Sequence, residues 1–178
     1  AYDFVGLNDL AAMEPDEYAG NPALRMPILR DDELVLFGSE NICRSLAERA
    51  NAPVRIAWPE DLVDDLSRNA QELVWHCMTA QVQILMAEHV GNLPTENAYV
   101  AKARAGLKGS LDWLEEHATD VVAAIPKQRD LSLFEVALYC LVDHLQFGPT
   151  VPVENYDSLM AFARQFGARP SAQRTAFR

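Results

Sequence analysis

The chain has 178 residues, 49% of them hydrophobic, enough for one substantial domain or two small ones. Lys+Arg number 15 against 26 Asp+Glu, a net charge of −11 that repels nucleic-acid backbones and anionic membrane surfaces but does not exclude a small anion held by a local set of donors. Cys43, Cys77 and Cys140 are too few and too widely spaced for a disulfide framework or a metal knuckle, which favours a reducing compartment. The chain opens on no basic-then-apolar signal peptide and contains no apolar run of membrane-spanning length, so a soluble cytoplasmic protein is expected.

Tyr2 to Leu7 alternates in the manner of a strand, and residues 8–24, rich in Asn, Asp, Pro and Gly, predict an irregular connection. Met26-Pro27-Ile28-Leu29 and Leu34-Val35-Leu36-Phe37 are apolar runs on either side of Arg30-Asp31-Asp32-Glu33, the pattern of an antiparallel hairpin. Ile42, Cys43, Leu46 and Ala47 then mark one face of a helix, with Ser39 predicted as its N-cap. Asn51 to Pro59 reads as a linker. Beyond it, Leu73, Cys77, Ala80 and Ile84, widened by Val74, Met78, Val82 and Leu85, predict a first long helix. A second carries Val100, Ala103, Leu107, Leu111 and Leu114. A third starts at Ser132, where Ser132-Leu133-Phe134-Glu135 has capping-box spacing, and runs on through Val136, Ala137, Cys140 and Leu141. A fourth holds Tyr156, Leu159, Met160 and Ala163. These patterns predict a small α+β domain over residues 1–52 followed by an all-α domain over 60–178.

Asn21 to Leu29, the hairpin, and Leu36-Phe37-Gly38-Ser39-Glu40-Asn41-Ile42-Cys43 together are similar to the thioredoxin-like domain of glutathione transferases. In the helical part, Ser132 to Glu135 resembles the family's helix-capping signature and Arg169-Pro170-Ser171 its usual ending. The resemblance implies an α+β thioredoxin-like N-terminal domain, incomplete here, and a glutathione transferase helical domain. It further implies a cis Pro27, with the backbone of Met26 pairing with the cysteinyl part of glutathione like an added strand. Ser39, at a helix start where free N–H groups and the helix dipole favour an anion, would hold the γ-glutamyl carboxylate. Arg25 would lie near the glycyl carboxylate. Gly38 departs from the family pattern, which often has an acidic residue or Gln before the serine, and so removes one partner for the glutathione amino group.

Family members usually begin with a strand and helix whose junction supplies the Tyr, Ser or Cys that handles the thiol. By comparison this sequence opens at the second strand, and a chain given without its first β-α unit is favoured over a degenerate fold, because the latter would leave a central sheet edge unpaired. The thiol-activating residue is therefore not visible, and Tyr2 is read as structural. His76 and His89 are expected at the surface or core edge, Trp75, Met78 and Trp113 in the core or an interface, and the three cysteines in buried, inert positions. The reading is a bacterial-type glutathione transferase, dimeric, with glutathione as co-substrate, a small electrophile as the other, and neither nucleic acid nor membrane as partner. A non-catalytic protein that keeps the fold for protein contacts is the alternative.

Overall fold

A computed structural model describes residues 3–148 and 150–175 of the chain. The chain divides into two units, the first ending at Val54 and the second beginning at Arg55.

In the first unit, residues 3–7 take no regular structure, so the expected strand at Tyr2–Leu7 is not formed there; Tyr2 itself lies outside the described residues. Their alternation has no neighbouring strand to pair with among the described residues, and alternation alone does not hold an extended segment in a sheet. A 3-10 turn at Pro15–Tyr18 buries the Tyr18 ring. Strands β1 (Ile28–Asp31) and β2 (Leu34–Phe37) pair antiparallel, from Ile28 opposite Phe37 to Asp31 opposite Leu34. Arg30 and Asp31 are thus strand residues, and the turn shrinks to Asp32-Glu33. Asp32 sits at φ 51°, a left-handed conformation that Asp tolerates better than most residues. Helix α1 (Ser39–Glu48) follows directly.

The second unit holds the packed core. The stretch expected to be a linker contains β3 (Ile56–Ala57), which pairs in parallel with β4 (Leu131–Ser132). A two-residue strand has no readable period, and its partner lies far along the chain. Helix α2 (Asp65–Leu85) starts where the Asp64 carboxylate accepts the Ser67 N–H at 2.8 Å. Its buried stripe is Ser67, Ala70, Gln71, Val74, Cys77, Gln81 and Ile84. Cys77, Ile84 and Val74 are buried as expected, whereas Leu73 and Ala80 are only half-buried and Val82 is exposed. A π-helical turn (Met86–Val90) ends α2, and α3 (Ala98–Ala124) returns with Val100, Leu107, Leu111, Leu114, Ala118 and Val121 buried. Helix α4 (Leu133–Phe147) buries a broad stripe that includes Phe134, Leu138, Leu141 and Leu145. Helices α5 (Asp157–Gly167) and α6 (Pro170–Arg174) complete the unit.

Polar side chains fasten the helix ends that apolar packing leaves open. Glu115 on α3 accepts the Ser158 and Leu159 N–H groups at 2.7 and 3.0 Å, so the first turn of α5 is capped from another helix. Gln81, fully buried on α2, donates to the Gly148 carbonyl and accepts from the Thr150 hydroxyl. Arg104 on α3 donates to both Glu88 oxygens at 2.7 and 2.6 Å and to the Thr150 carbonyl. The densest node lies between α3 and α4. Arg129 donates to the Ile125 and Pro126 carbonyls at 3.2 and 2.9 Å, and to both Glu135 oxygens at 2.9 and 3.0 Å. Ser132 caps α4 as its sequence predicts, accepting the Glu135 N–H at 3.1 Å and donating to Glu135 Oε2 at 2.6 Å.

Burial pushes the Glu135 carboxyl up, but hydrogen bonds from Arg129 and Ser132 outweigh it and hold the group below the usual carboxylate range. The folded state therefore binds this proton less readily than the unfolded chain. Its stabilisation is complete above the unfolded value of about 4.3 and is lost as pH falls through the lower folded value. Urea midpoints measured from pH 6 downward are expected to drop below pH 4.3, with a smaller drop in Glu135→Gln. Arg129→Met, which strands the Glu135 charge, is expected to cost about 3 kcal/mol in the same assay at neutral pH.

Candidate functional site

The site is built by the segment between the Pro15–Tyr18 turn and α1. Asn21, buried at 4% exposure, organises it from beneath: its side chain donates to the Arg25 carbonyl at 2.7 Å and accepts the Ala23 N–H at 3.0 Å. This folds residues 21–25 into a tight corner, with Leu24 at φ 52°. The Met26–Pro27 peptide bond is cis, as the resemblance implied. Pro27 lies just before β1, and its carbonyl accepts the Gly38 N–H at 3.1 Å, one step beyond the Ile28–Phe37 pair. That bond places Met26 and Pro27 beside the start of α1. Met26 is 53% exposed, and among the described residues neither its N–H nor its C=O is paired. The result is a short free backbone edge continuing the hairpin.

The expected N-cap is displaced by one residue. Ile42 N–H bonds to the Gly38 carbonyl at 3.0 Å, so Gly38 is the N-cap and Ser39 is the first residue of the helix. Gly38 takes φ 84°, ψ 142°, a region that other residues enter only with strain. The chain needs this sharp turn to pass from β2 into α1. Local spacing could not separate Gly38 from Ser39, since both residue types are favoured at N-caps. The N–H groups of Ser39, Glu40 and Asn41 precede the first helical bond, and Ser39 is exposed among them. Glu40 is turned to its own helix, where it accepts from Arg44 Nε and Nη2 at 2.9 and 2.7 Å.

Arg25, Met26, Pro27 and Ser39 are all exposed, and the corner and the hairpin bring them to one end of the first unit. Asn21 is the positioning residue whose burial sequence reasoning did not assign; its only signal was the Asn-Pro dipeptide. His76 and His89 are exposed on and just after α2. The cysteines differ among themselves: Cys77 is buried, with its thiol pushed up to about 12 by burial against a smaller opposing hydrogen bond with Ser110. Cys43 is half-buried, its thiol raised by burial and then by Glu40, whereas Cys140 is exposed, contrary to expectation, on the outer face of α4. Among the described residues no cluster of His, Cys, Asp or Glu could hold a metal, and no helix is long and apolar enough to cross a membrane.

No family model matches the chain, and no curated protein matches it. Solved structures do. A glutathione S-transferase from Methylobacterium radiotolerans, in complex with glutathione sulfonate, aligns over 94% of this chain and 78% of its own with 17% identity and a TM-score of 0.69. A glutathione transferase family member from Pseudomonas fluorescens with bound glutathione aligns over 96% of this chain and 82% of its own, at 20% identity and a TM-score of 0.68. A glutathione S-transferase domain-containing protein from Marinobacter aquaeolei aligns over 89% and 80% respectively, at 14% identity and a TM-score of 0.63. The fold of this chain is that of the glutathione transferases.

A Cβ added at Gly38 meets nothing within 4 Å, so the cost of substitution there is backbone conformation alone. Gly38→Ala is expected to destabilise the hairpin–α1 junction by about 1–2 kcal/mol. Amide hydrogen exchange of the β1–β2 hairpin reads this directly, and unchanged protection would contradict the assigned role of the glycine.

Proposed function

We propose that this chain binds glutathione through its first unit and is a glutathione transferase, joining the glutathione thiol to a small electrophile. The observation that carries the reading is the unpaired Met26 backbone edge held beside the open N-terminus of α1 by the Gly38–Pro27 hydrogen bond. Structural neighbours with glutathione or glutathione sulfonate bound support it.

In this reading the Met26 N–H and C=O pair with the cysteinyl backbone, as a peptide adds to a strand edge. Pro27, tied to Gly38, keeps that edge in place. The Ser39 hydroxyl and the free N–H groups of the first turn of α1 take the γ-glutamyl carboxylate, and the helix dipole adds to the attraction. Arg25 supplies a cation for the glycyl carboxylate. A protein of net charge −11 can hold this anionic tripeptide because the donors are local and aimed. The first unit supplies thioredoxin-like elements of the glutathione site, and Gly38 leaves the γ-glutamyl ammonium without a carboxylate at that position. The glutathione thiolate is the nucleophile: its sulfur forms a bond to the electrophilic carbon, the leaving group departs with its electron pair, and the thiol proton passes to solvent. A homodimer and a cytoplasmic location belong to the same reading.

Calorimetric titration with glutathione tests it. Saturable binding is expected, weakened about tenfold by Ser39→Ala through loss of one hydrogen bond to a charged group, and less by Arg25→Ala. Absence of binding would refute the glutathione site; equal binding by Ser39→Ala would refute the carboxylate role alone.

A further inference from the structure

A second cleft lies wholly within the helical unit, between the outer faces of α4 and α5. Tyr139, Asp143 and Gln146 of α4 face Met160, Ala163, Arg164 and Gly167 of α5 around a volume of about 280 Å³. The space is open to solvent along one side and is of a size for one small molecule.

Both ends of the cleft are fixed. At one end the Tyr139 ring stacks on Phe166 at 5.2 Å and lies so close to the α5 backbone that a Cβ on Gly167 would meet it at 3.2 Å. Glycine is therefore what lets the ring lie down. At the other end Gln146 Nε2 contacts Met160 Sδ at 3.7 Å. Ala163 and Met160 make an apolar floor.

Charge then narrows the occupant. Asp143 and Arg164, on opposite walls of this cleft, make no ion pair or hydrogen bond among the described residues, with each other or with a third group. A simple anion would meet the Asp143 carboxylate, and a simple cation would meet the Arg164 guanidinium. A ligand carrying an ammonium and a carboxylate a few bonds apart satisfies both, while a short apolar side chain covers the floor.

We propose that the α4–α5 cleft is a binding site for a small apolar zwitterion, of the class of a free aliphatic amino acid or dipeptide. Asp143 holds its ammonium, Arg164 its carboxylate, and Tyr139 closes the end against the side chain. The site is independent of the glutathione reading.

Calorimetric titration of the full chain with L-leucine and glycyl-L-leucine tests the assignment. Saturable binding at millimolar concentration is expected. Asp143→Asn and Arg164→Gln should each weaken it about tenfold, as should replacing the ligand by isopentylamine or 3-methylbutanoate, which carry one charge each. Ser39→Ala should leave it unchanged. Both substituted residues sit at the surface, and far-ultraviolet circular dichroism confirms that the variants are folded. No saturable binding by the unsubstituted chain, or binding indifferent to both charge substitutions, overturns the proposal.

Discussion

One guanidinium governs how the helical unit is joined. Helix α3 ends with carbonyls that have no helical partner, and α4 begins a few residues later with N–H groups in the same condition. Arg129 answers the first set by donating to the Val122 carbonyl and to those of Ile125 and Pro126 just past the helix, and it reaches the second through Glu135, whose carboxylate also receives the Ser132 hydroxyl. The turn between the two helices is thus closed by one largely buried ion pair that serves both helix dipoles with the favourable sign. The adjacent residues extend the node. Asp130 receives the Arg55 N–H and guanidinium, which fixes β3 against β4, and its carbonyl accepts from Arg169 just before α6. The beginning, middle and end of the unit therefore meet in residues 125–135.

Apolar packing supplies the bulk of the stability of this unit, but it is non-directional and does not select helix ends or registers. Those choices fall to a few buried polar groups. Glu115 caps α5 from a neighbouring helix, and Tyr156, whose hydroxyl donates to Asp112 at 2.9 Å, fixes the same junction from the other side. Gln81 on α2 holds Gly148 and Thr150, and Arg104 on α3 holds Thr150. Gln81 has both its donor and its acceptor partnered at full burial, the condition under which such a group sharpens a structure rather than weakens it.

The first unit works on a different principle. It has little buried apolar surface, and its geometry rests on backbone devices: the Asn21 corner, the two-residue hairpin turn, the positive φ of Gly38 and the Gly38–Pro27 hydrogen bond. These devices leave polar backbone exposed and oriented instead of paired. A free strand edge and an open helix start within one short segment make a recognition surface for a molecule that is itself a peptide with carboxylates, which is why the glutathione reading suits this unit and not the helical one.

Local periodicity and capping chemistry made part of this structure legible before any tertiary contact is considered. The hairpin was legible from two apolar runs on either side of Arg30 to Glu33, the four long helices from their stripes, and the start of α4 from the Ser132–Glu135 spacing. The segment Arg25 to Ser39 was legible as a candidate site because its residue types, taken in order, resemble a family. Tertiary structure alone decided the rest, because the deciding partners are distant in the chain. Strand β3 exists only through pairing with residues 131–132, and no pattern in Ile56-Ala57 announces that. Which face of α2 is buried depends on α3 and α4; with apolar residues on a broad arc, the sequence allowed Leu73 or Val74 as the centre, and packing chose Val74. The N-cap of α1 moved from Ser39 to Gly38 because the exit from β2 demands a positive φ, a condition set by the hairpin. The Met26 edge and the α1 start, separated by the whole hairpin in sequence, became one surface only when the Gly38 N–H met the Pro27 carbonyl.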